Sequence, residues 1–399
     1  MSHVRDYLER LRGGDTGALP AVAGLLVLCT AFAILRPVFL TPGNLANLFT
    51  QGAAVAIIAM GLVFVLLLGE IDLSAGFTSG VCAAVLAVLL ANHGAPWYVA
   101  VLAAIGTGIV IGLVLGFLVA RIGIPSFVVT LAAFLAFQGV VLLLIKGGAN
   151  ISVREPVILA LANRNLSPAL GWVLAAVAAG GYAVALWLRS RSRVQRGLPA
   201  LPVELMAARA GGLALLLGAA VYVLNLERSR NVLVVSLKGV PIVVPVIAAL
   251  LVLGTFVLAR TPYGRHLYAV GGNAEAARRA GISVDRIKIS AFAVCSALAA
   301  VGGIVAASRA NSVDANTGGS NVLLYAVGAA VIGGTSLFGG KGRILDAVLG
   351  GAVVAVIDNG MGLLGYSAGV KYVVTGVVLL LAAGVDALSR RRAAGAGLR

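Results

Sequence analysis

The stretch QGAAVAIIAMGLVFVLLLGEIDLSAGFTSGVCAAVLAVLLA, Gln51 to Ala91, holds two apolar runs, 51–69 and 73–91, with Glu70 and Asp72 between them. Each run approaches the roughly 20 apolar residues that a helix needs to cross a bilayer. A backbone in lipid must satisfy its own hydrogen bonds, so helices are the expected form. A carboxylate in hydrocarbon is costly and turns toward protein or water. The Glu70–Asp72 break therefore reads either as a turn between two spans or as part of a discontinuous, re-entrant helix.

The same pattern repeats outward from this stretch. Twelve candidate spans fall at approximately 18–36, 51–69, 73–91, 98–120, 126–146, 169–188, 211–226, 241–259, 289–308, 322–338, 344–362 and 370–388. The fold class expected is all-α, a polytopic membrane protein of about 10–12 spans. The lower number applies if the Glu70 break and the glycine-rich VIGGTSLFGGKGRILDAVLGG, Val331 to Gly351, are discontinuous helices. The spans would occupy 18–388, between an N-terminal segment 1–17 and a tail 389–399. Within one span, Gly106, Gly108, Gly112 and Gly116 offer a small face for close helix packing.

Composition agrees. The chain has 399 residues, 60% hydrophobic and 11% charged, with a mean hydropathy of +1.05. Soluble domains carry about 25% charged residues, so a soluble fold is excluded. The net charge of +16 would point to nucleic acid in a soluble protein, but here the arginines cluster between and after apolar runs. That is the positive-inside pattern. RSRSRVQR (Arg189–Arg196), the tail SRRRAAGAGLR, the N-terminal Arg5, Arg10 and Arg12, and a polar segment near 260–288 should share the cytoplasmic side of a cell membrane. ERSRNVLVVSLKG, Glu227 to Gly239, is the one basic loop that twelve crossings leave outside. MSHVRDYLERLRGG is not a signal peptide, so the first apolar run should stay as an anchor. Cys29, Cys82 and Cys295 lie singly in apolar runs, without metal or disulfide spacing. Neither metal nor cofactor is expected.

The sequence carries no energy source of its own. GGTSLFGGKGR is a near miss to a P-loop, but Gly342 stands where Ser or Thr should hold magnesium and Thr335 where the first glycine should be. No HExxH or GxSxG occurs, and Glu70 and Asp72 are two apart, which on a helix would not face each other. No catalytic residue is assigned. For IDLSAG the readings are a cap or turn, with Asp72 and Ser74 accepting from following amides, or a polar hinge beside a solute route. Asp346, Asp358 and Lys371 lie near span ends. Asp358–Asn359 is the deepest polar pair and reads as interhelical hydrogen bonding, with a proton relay as the alternative.

The polar stretch HLYAVGGNAEAARRAGISVDRIKIS, His266 to Ser290, is punctuated differently. TPYG before it signals a turn. Asn273 can cap a short helix over Ala274–Gly281 that ends on glycine. Glu275 and Arg279 can pair, and Ala276, Ala277 and Ala280 leave a small surface. A two-turn helix is marginal alone. It rests either on its own bundle or in a groove of a cytoplasmic partner.

FLTPGNLANLF (Phe39–Phe49), GLVFVLLLGEIDLSAG, RIGIPSFVVTLAAFLAFQG (Arg121–Gly139), TPYGRHLYAVGGNAEAARRAGI and AAVIGGTSLFGGKG together resemble the permease subunits of bacterial sugar ABC importers, the branch serving ribose, arabinose, galactose and xylose. Within it the chain most resembles the xylose members, through EIDLS, an apolar, arginine-rich insertion at roughly Trp172–Asn225, and VIDNGMGLLG. The resemblance implies a paired permease in the bacterial inner membrane, a cytoplasmic ATPase and a periplasmic or secreted sugar-binding protein. It implies that Gly271, Gly272, Asn273, Glu275, Ala276, Ala277, Arg278 and Gly281 couple to the ATPase. Glu70, Asp72, Ser74, Asp358 and Asn359 are candidate hinge or pathway residues, with Gln51, Thr78, Ser79, Gln138 and Tyr372 as further pathway candidates. The alternatives are another sugar, or a secondary transporter working alone.

Overall fold

A computed structural model describes residues 19–146, 150–200, 202–229 and 236–395. The N-terminal segment 1–17, residues 396–399 of the tail and residues 230–235 of the Glu227–Gly239 loop lie outside the described residues. The helices are α1 (Leu19–Leu35), α2 (Pro42–Leu67), α3 (Ala75–Ala91), α4 (Trp97–Phe117), α5 (Ser126–Leu144), α6 (Pro156–Asn163), α7 (Pro168–Gln195) and α8 (Val203–Asn225). They continue with α9 (Val243–Arg260), α10 (Pro262–Gly272), α11 (Ala274–Arg279), α12 (Val284–Ala310), α13 (Ser320–Ile332), α14 (Ile344–Leu363) and α15 (Ala368–Gly395). A two-residue antiparallel ladder joins β1 (Ile151–Ser152) to β2 (Ser312–Val313).

Among the described residues, eight helices are long and apolar enough to cross a membrane: α2, α4 with its π-helical continuation Leu118–Ile122, α5, α7, α8, α9, α12 and α14. Four shorter apolar helices, at α1, α3, α13 and α15, stand where the remaining sequence runs predicted spans. Several boundaries move. The second span begins at Pro42 rather than 51, because Thr41 caps it and Pro42 sits in its first turn. The span expected over 322–338 stops at Ile332, where Gly333 and Gly334 end the helix. The insertion forms a hairpin of α7 and α8 that packs mainly on itself. TPYG is a helix start, not a turn. The Thr261 hydroxyl accepts from Gly264 N at 3.2 Å, Pro262 opens the first turn, and eleven residues of α10 follow.

The long helix α12 is the axle of the bundle, packed against α2, α3 and α4. Between apolar helices in lipid no hydrophobic force drives contact, so close van der Waals fit must do it. Gly108 and Gly116 supply that fit. A Cβ on Gly108 would lie 2.6 Å from Ser296 O, and one on Gly116 would lie 2.7 Å from Ile289 Cα. Gly112 meets the Phe292 carbonyl as closely. Gly106 faces open space and takes no part in the expected small face. Phe292 and Cys295 are fully buried as a result, while Leu135, Leu143, Leu215 and Val252 on outer helices are exposed. A chain whose solvent is lipid has apolar surfaces of that kind.

Candidate functional site

The polar segment after α9 is built from local rules. Asn273 ends α10 in extended backbone and its side chain accepts from Ala276 N at 2.9 Å, which starts α11. Gly281 has φ +83°, and Ile282 N returns to Ala277 O at 3.0 Å, closing the helix as glycine caps do. The helix ends at Arg279, two residues short of Gly281. Glu275 and Arg279 pair at 3.2 Å in solvent, and Arg278 reaches Asp285 at 3.8 Å.

One expectation about this helix is corrected. Ala277 does not belong to an outward small surface. It is 5% exposed and packs into the core of its own chain. The helix has one inward residue in each turn at most, and Ala277 takes that position. Gly272, Asn273, Ala274, Glu275, Ala276, Arg278, Arg279, Ala280 and Gly281 are all exposed.

Three chain segments meet beside this helix. Gly340 N donates to Leu67 O at 2.8 Å. Gly271 lies against the same carbonyl so closely that a Cβ there would collide with it. A Cβ on Gly339 would lie 2.9 Å from both Gly271 O and Gly69 N. Backbone thus touches backbone where α2 ends, where α10 ends and where the glycine-rich loop precedes α14. The Tyr268 hydroxyl donates to Gly342 O at 2.7 Å and ties the same loop. Burial first, and then the nearby Asp346 carboxylate, pushes that phenol up from its ordinary value, so it remains a donor.

The two carboxylates of the break part company, as expected, but in non-helical chain. Glu70 pairs with Lys288 at 2.5 Å, both partners largely buried. Asp72 is fully buried and accepts from Ser74 N at 2.8 Å, from the Ser74 hydroxyl at 2.6 Å and from the Cys295 thiol at 3.6 Å. Lys288 and Cys295 stand seven apart on α12, on one face of it. The Ser74 side chain makes no capping bond to α3. The expectation that it caps is wrong because its hydroxyl is drawn to the Asp72 carboxylate.

A second polar cluster occupies the other end of α2, α12 and α14. Asp358 accepts from Lys371 at 3.1 Å and from the Gln51 amide. Asn359 and Asn44 exchange amide bonds at 2.9 Å each way, and Asn359 also donates to Gln51 at 3.3 Å. Arg309 donates to Thr50 at 2.7 Å and Asn47 at 3.2 Å. Asp346 lies elsewhere, accepting from Arg343 N at 2.8 Å at the start of α14.

The structure therefore divides the sequence candidates into two groups at opposite ends. Gly271–Gly281 and Glu70 gather at one end, with Asp72 and Ser74 deeper in the bundle beside Cys295, about three turns into α12, and Gln51, Asp358, Asn359 and Lys371 lie at the other. Tyr372 joins the second group's rim through Asn321, at 2.6 Å. Thr78 and Ser79 are buried in α3, bonded to Ser74 and Gly76 O, and Gln138 is exposed on α5, so the pathway candidates do not form one lining. Sequence reasoning missed Lys288, Cys295, Tyr268, Arg309 and Asn44. Only the i, i+7 spacing of Lys288 and Cys295 could have hinted at a shared partner strip. Among the described residues, no group of three or more His, Cys, Asp or Glu could hold a metal ion.

Comparison with known proteins agrees with a transport role. Residues 44–383 match the family described as branched-chain amino acid transport system / permease component. A xylose transport system permease protein of Haemophilus influenzae is 34% identical over 89% of this chain and 91% of its own length. Its counterpart in Escherichia coli K12 is 34% identical over 89% and 87%. The ribose import permease protein of the same strain is 30% identical over 92% of both. No solved structure matches the chain at a significant level. With a family match spanning most of its length and relatives of this similarity along nearly all of it, the chain belongs to the family of transport-system permease components.

Proposed function

We propose that this chain is the membrane permease subunit of an ABC importer for a monosaccharide, with D-xylose as its sugar, and that α11 couples it to a cytoplasmic ATPase. The observation that carries the reading is α11 itself. It is a capped six-residue helix with a single inward residue, exposed at its other positions, and the four-residue turn Ala280–Ser283 joins it to α12. A helix this short is marginal without a second surface to lean on. Its neighbours Gly271 and Lys288 contact the end of α2 and the Glu70 break. A push on α11 would therefore reach three helices through stiff contacts rather than through a loop. Arg260, Arg265, Arg278, Arg279 and Arg286 lie at this end, which supports a cytoplasmic placement and cytoplasmic termini.

Sugar is favoured by the xylose and ribose permeases among the relatives, and xylose by their greater identity. A second copy of the chain and a binding protein outside the membrane complete the assembly in this reading. The description of the family favours a second reading, a branched-chain amino acid as cargo.

The test is reconstitution in liposomes with an ABC ATPase and a sugar-binding protein from the same organism. ATP-dependent uptake would be measured for D-xylose, ribose, arabinose, galactose and L-leucine. Uptake of D-xylose above the others is the expected result. Preference for another sugar overturns the choice of xylose, and leucine alone overturns the sugar reading. Uptake that persists without the ATPase means a transporter that works alone.

A further inference from the structure

We propose that Gln51, Arg309, Asp358, Asn359 and Lys371 form a station that binds the hydroxyls of a monosaccharide as it enters the bundle. The proposal rests on the importer reading above. It places the solute's first polar contacts at the end of the molecule away from α11.

Position is the first argument. The five residues come from α2, α12, α14 and α15, and two of those helices, α2 and α14, run on to the glycine junction at the other end. Asp358 lies about one and a half turns inside the end of α14, and Gln51 about two and a half turns inside the start of α2. A charge at such depth faces protein, a second copy of the chain or a water-filled route, not lipid. This cluster is not sealed in protein. Lys371 and Asp358 keep 22% and 31% of their side-chain surface exposed, and Arg309, Asn47 and Tyr372 are exposed.

Chemistry is the second argument. A neutral sugar presents many hydroxyls, each both donor and acceptor. Asp358 can only accept, Arg309 and Lys371 can only donate, and Gln51, Asn359 and Asn44 do both. Arg309 carries five N–H groups, and its bonds go to Thr50 and Asn47, which leaves donors for a ligand. An amphipathic membrane helix does not need this mixture for packing. It does suit a solute that must be held by several exchangeable hydrogen bonds. Sugar hydroxyls would replace the Lys371–Asp358 and Gln51–Asp358 bonds one for one. Binding would then be weak, as a route that must also release its cargo requires.

The experiment uses the full chain reconstituted with its ATPase and binding protein, and D-xylose with the other three sugars as the probes. The quantity read is sugar delivered per ATP hydrolysed. Loss of a hydrogen bond to a charged group should lower that ratio about tenfold in Asp358→Asn and in Arg309→Gln. The charge-exchanged pair Asp358→Lys with Lys371→Asp should fail to restore it, because the carboxylate is then misplaced for the solute. A wild-type ratio in both single variants overturns the station. So does full restoration by the exchanged pair, which would make the ion pair a brace between α14 and α15. If Asp358→Asn does not assemble, Arg309→Gln decides alone, since Arg309 is an exposed residue at the end of α12. A wild-type complex that carries none of the sugars removes the importer reading and the station with it. A wild-type complex that carries sugar beside unaffected variants removes the station only.

Discussion

The two ends of this bundle are built from different materials. At the end near α11, main chain meets main chain: Leu67 O, Gly340 N, Gly271 and Gly339 lie in contact, with Tyr268 and the Lys288–Glu70 pair at the margin. At the other end, side chains meet side chains: Asn44 with Asn359, Gln51 and Lys371 with Asp358, Arg309 with Asn47 and Thr50. Backbone contacts have no rotamers to change and move only with their helices. Side-chain bonds can be exchanged one at a time. The first material suits transmission of a push, and the second suits handling of a polar solute.

The sharpest way to break this contrast is to put a methyl group into the backbone contact. Gly271→Ala places a Cβ against the Leu67 carbonyl, and the neighbours it meets are main chain, which cannot rotate away. Overpacking of this sort costs about 1–3 kcal/mol. Loss of nearly all ATP-driven uptake is expected, together with a lower thermal midpoint. Gly106→Ala is the control, because nothing lies within 4 Å of its Cβ position and uptake should stay at the wild-type level. Equal uptake in both variants would show that the junction does not transmit anything.

Next in size is Lys288→Met. It leaves the Glu70 carboxylate without its ion-pair partner in a largely buried place, at a cost of roughly 1–3 kcal/mol. A severalfold drop in uptake is expected, with partial recovery when Glu70→Lys is combined with Lys288→Glu. No recovery would mean that Lys288 acts through something other than Glu70.

A smaller effect separates inward from outward alanines on α11. Ala276→Glu adds a charge to an exposed position, so it should weaken association with the ATPase about tenfold, or ~1.4 kcal/mol, without altering the thermal midpoint. Ala277→Glu adds the same charge inside the chain's own core and should lower the midpoint in the absence of any partner. Pull-down and thermal-shift measurements distinguish the two. Identical profiles for the two variants would contradict the orientation of the helix.

What the sequence revealed follows the same division. The twelve apolar runs, the Asn273 cap and the Gly281 stop were legible, since span length and capping are local properties. The Glu275–Arg279 pair was legible for the same reason. The inward turn of Ala277 was not, because α11 is too short to carry a hydrophobic period. Nor were Glu70 with Lys288 or Asp358 with Lys371 as pairs: 218 residues separate the first, and helix packing alone brings them together. Arg309 gave no signal, as a single basic residue at a span end looks like any flanking arginine. The glycine junction was half legible. Its glycines stood out in number, but their shared target, one carbonyl at Leu67, is a property of the assembled bundle.

The smallest expected effect tests whether side-chain construction at the far end is itself sensitive to protons. Beyond α8, at the end of the bundle that carries Gln51, Glu227 accepts from Ser229 N and Arg228 N at 3.0 Å, from Leu237 N at 2.9 Å and from the Ser236 hydroxyl at 2.8 Å. The Ser229 amide, then the Leu237 amide, hold this carboxyl down to about 2, against an ordinary value of 4.5. A depressed carboxylate contributes stability that is complete above the ordinary value and is lost as pH falls through the lowered one. The Leu237 amide should therefore lose hydrogen-exchange protection between about pH 4.5 and 2, after correction for intrinsic exchange. Glu227→Gln keeps an acceptor oxygen but has no proton to gain, so its protection should be flat across that window and uptake at neutral pH unchanged. The backbone junction at Gly271 does not touch Glu227, so its Gly340–Leu67 bond should give the same profile in both proteins. A wild-type profile as flat as that of the glutamine variant would show that the amides, not the charge they surround, hold the loop. The contrast between the two ends would then rest on geometry alone.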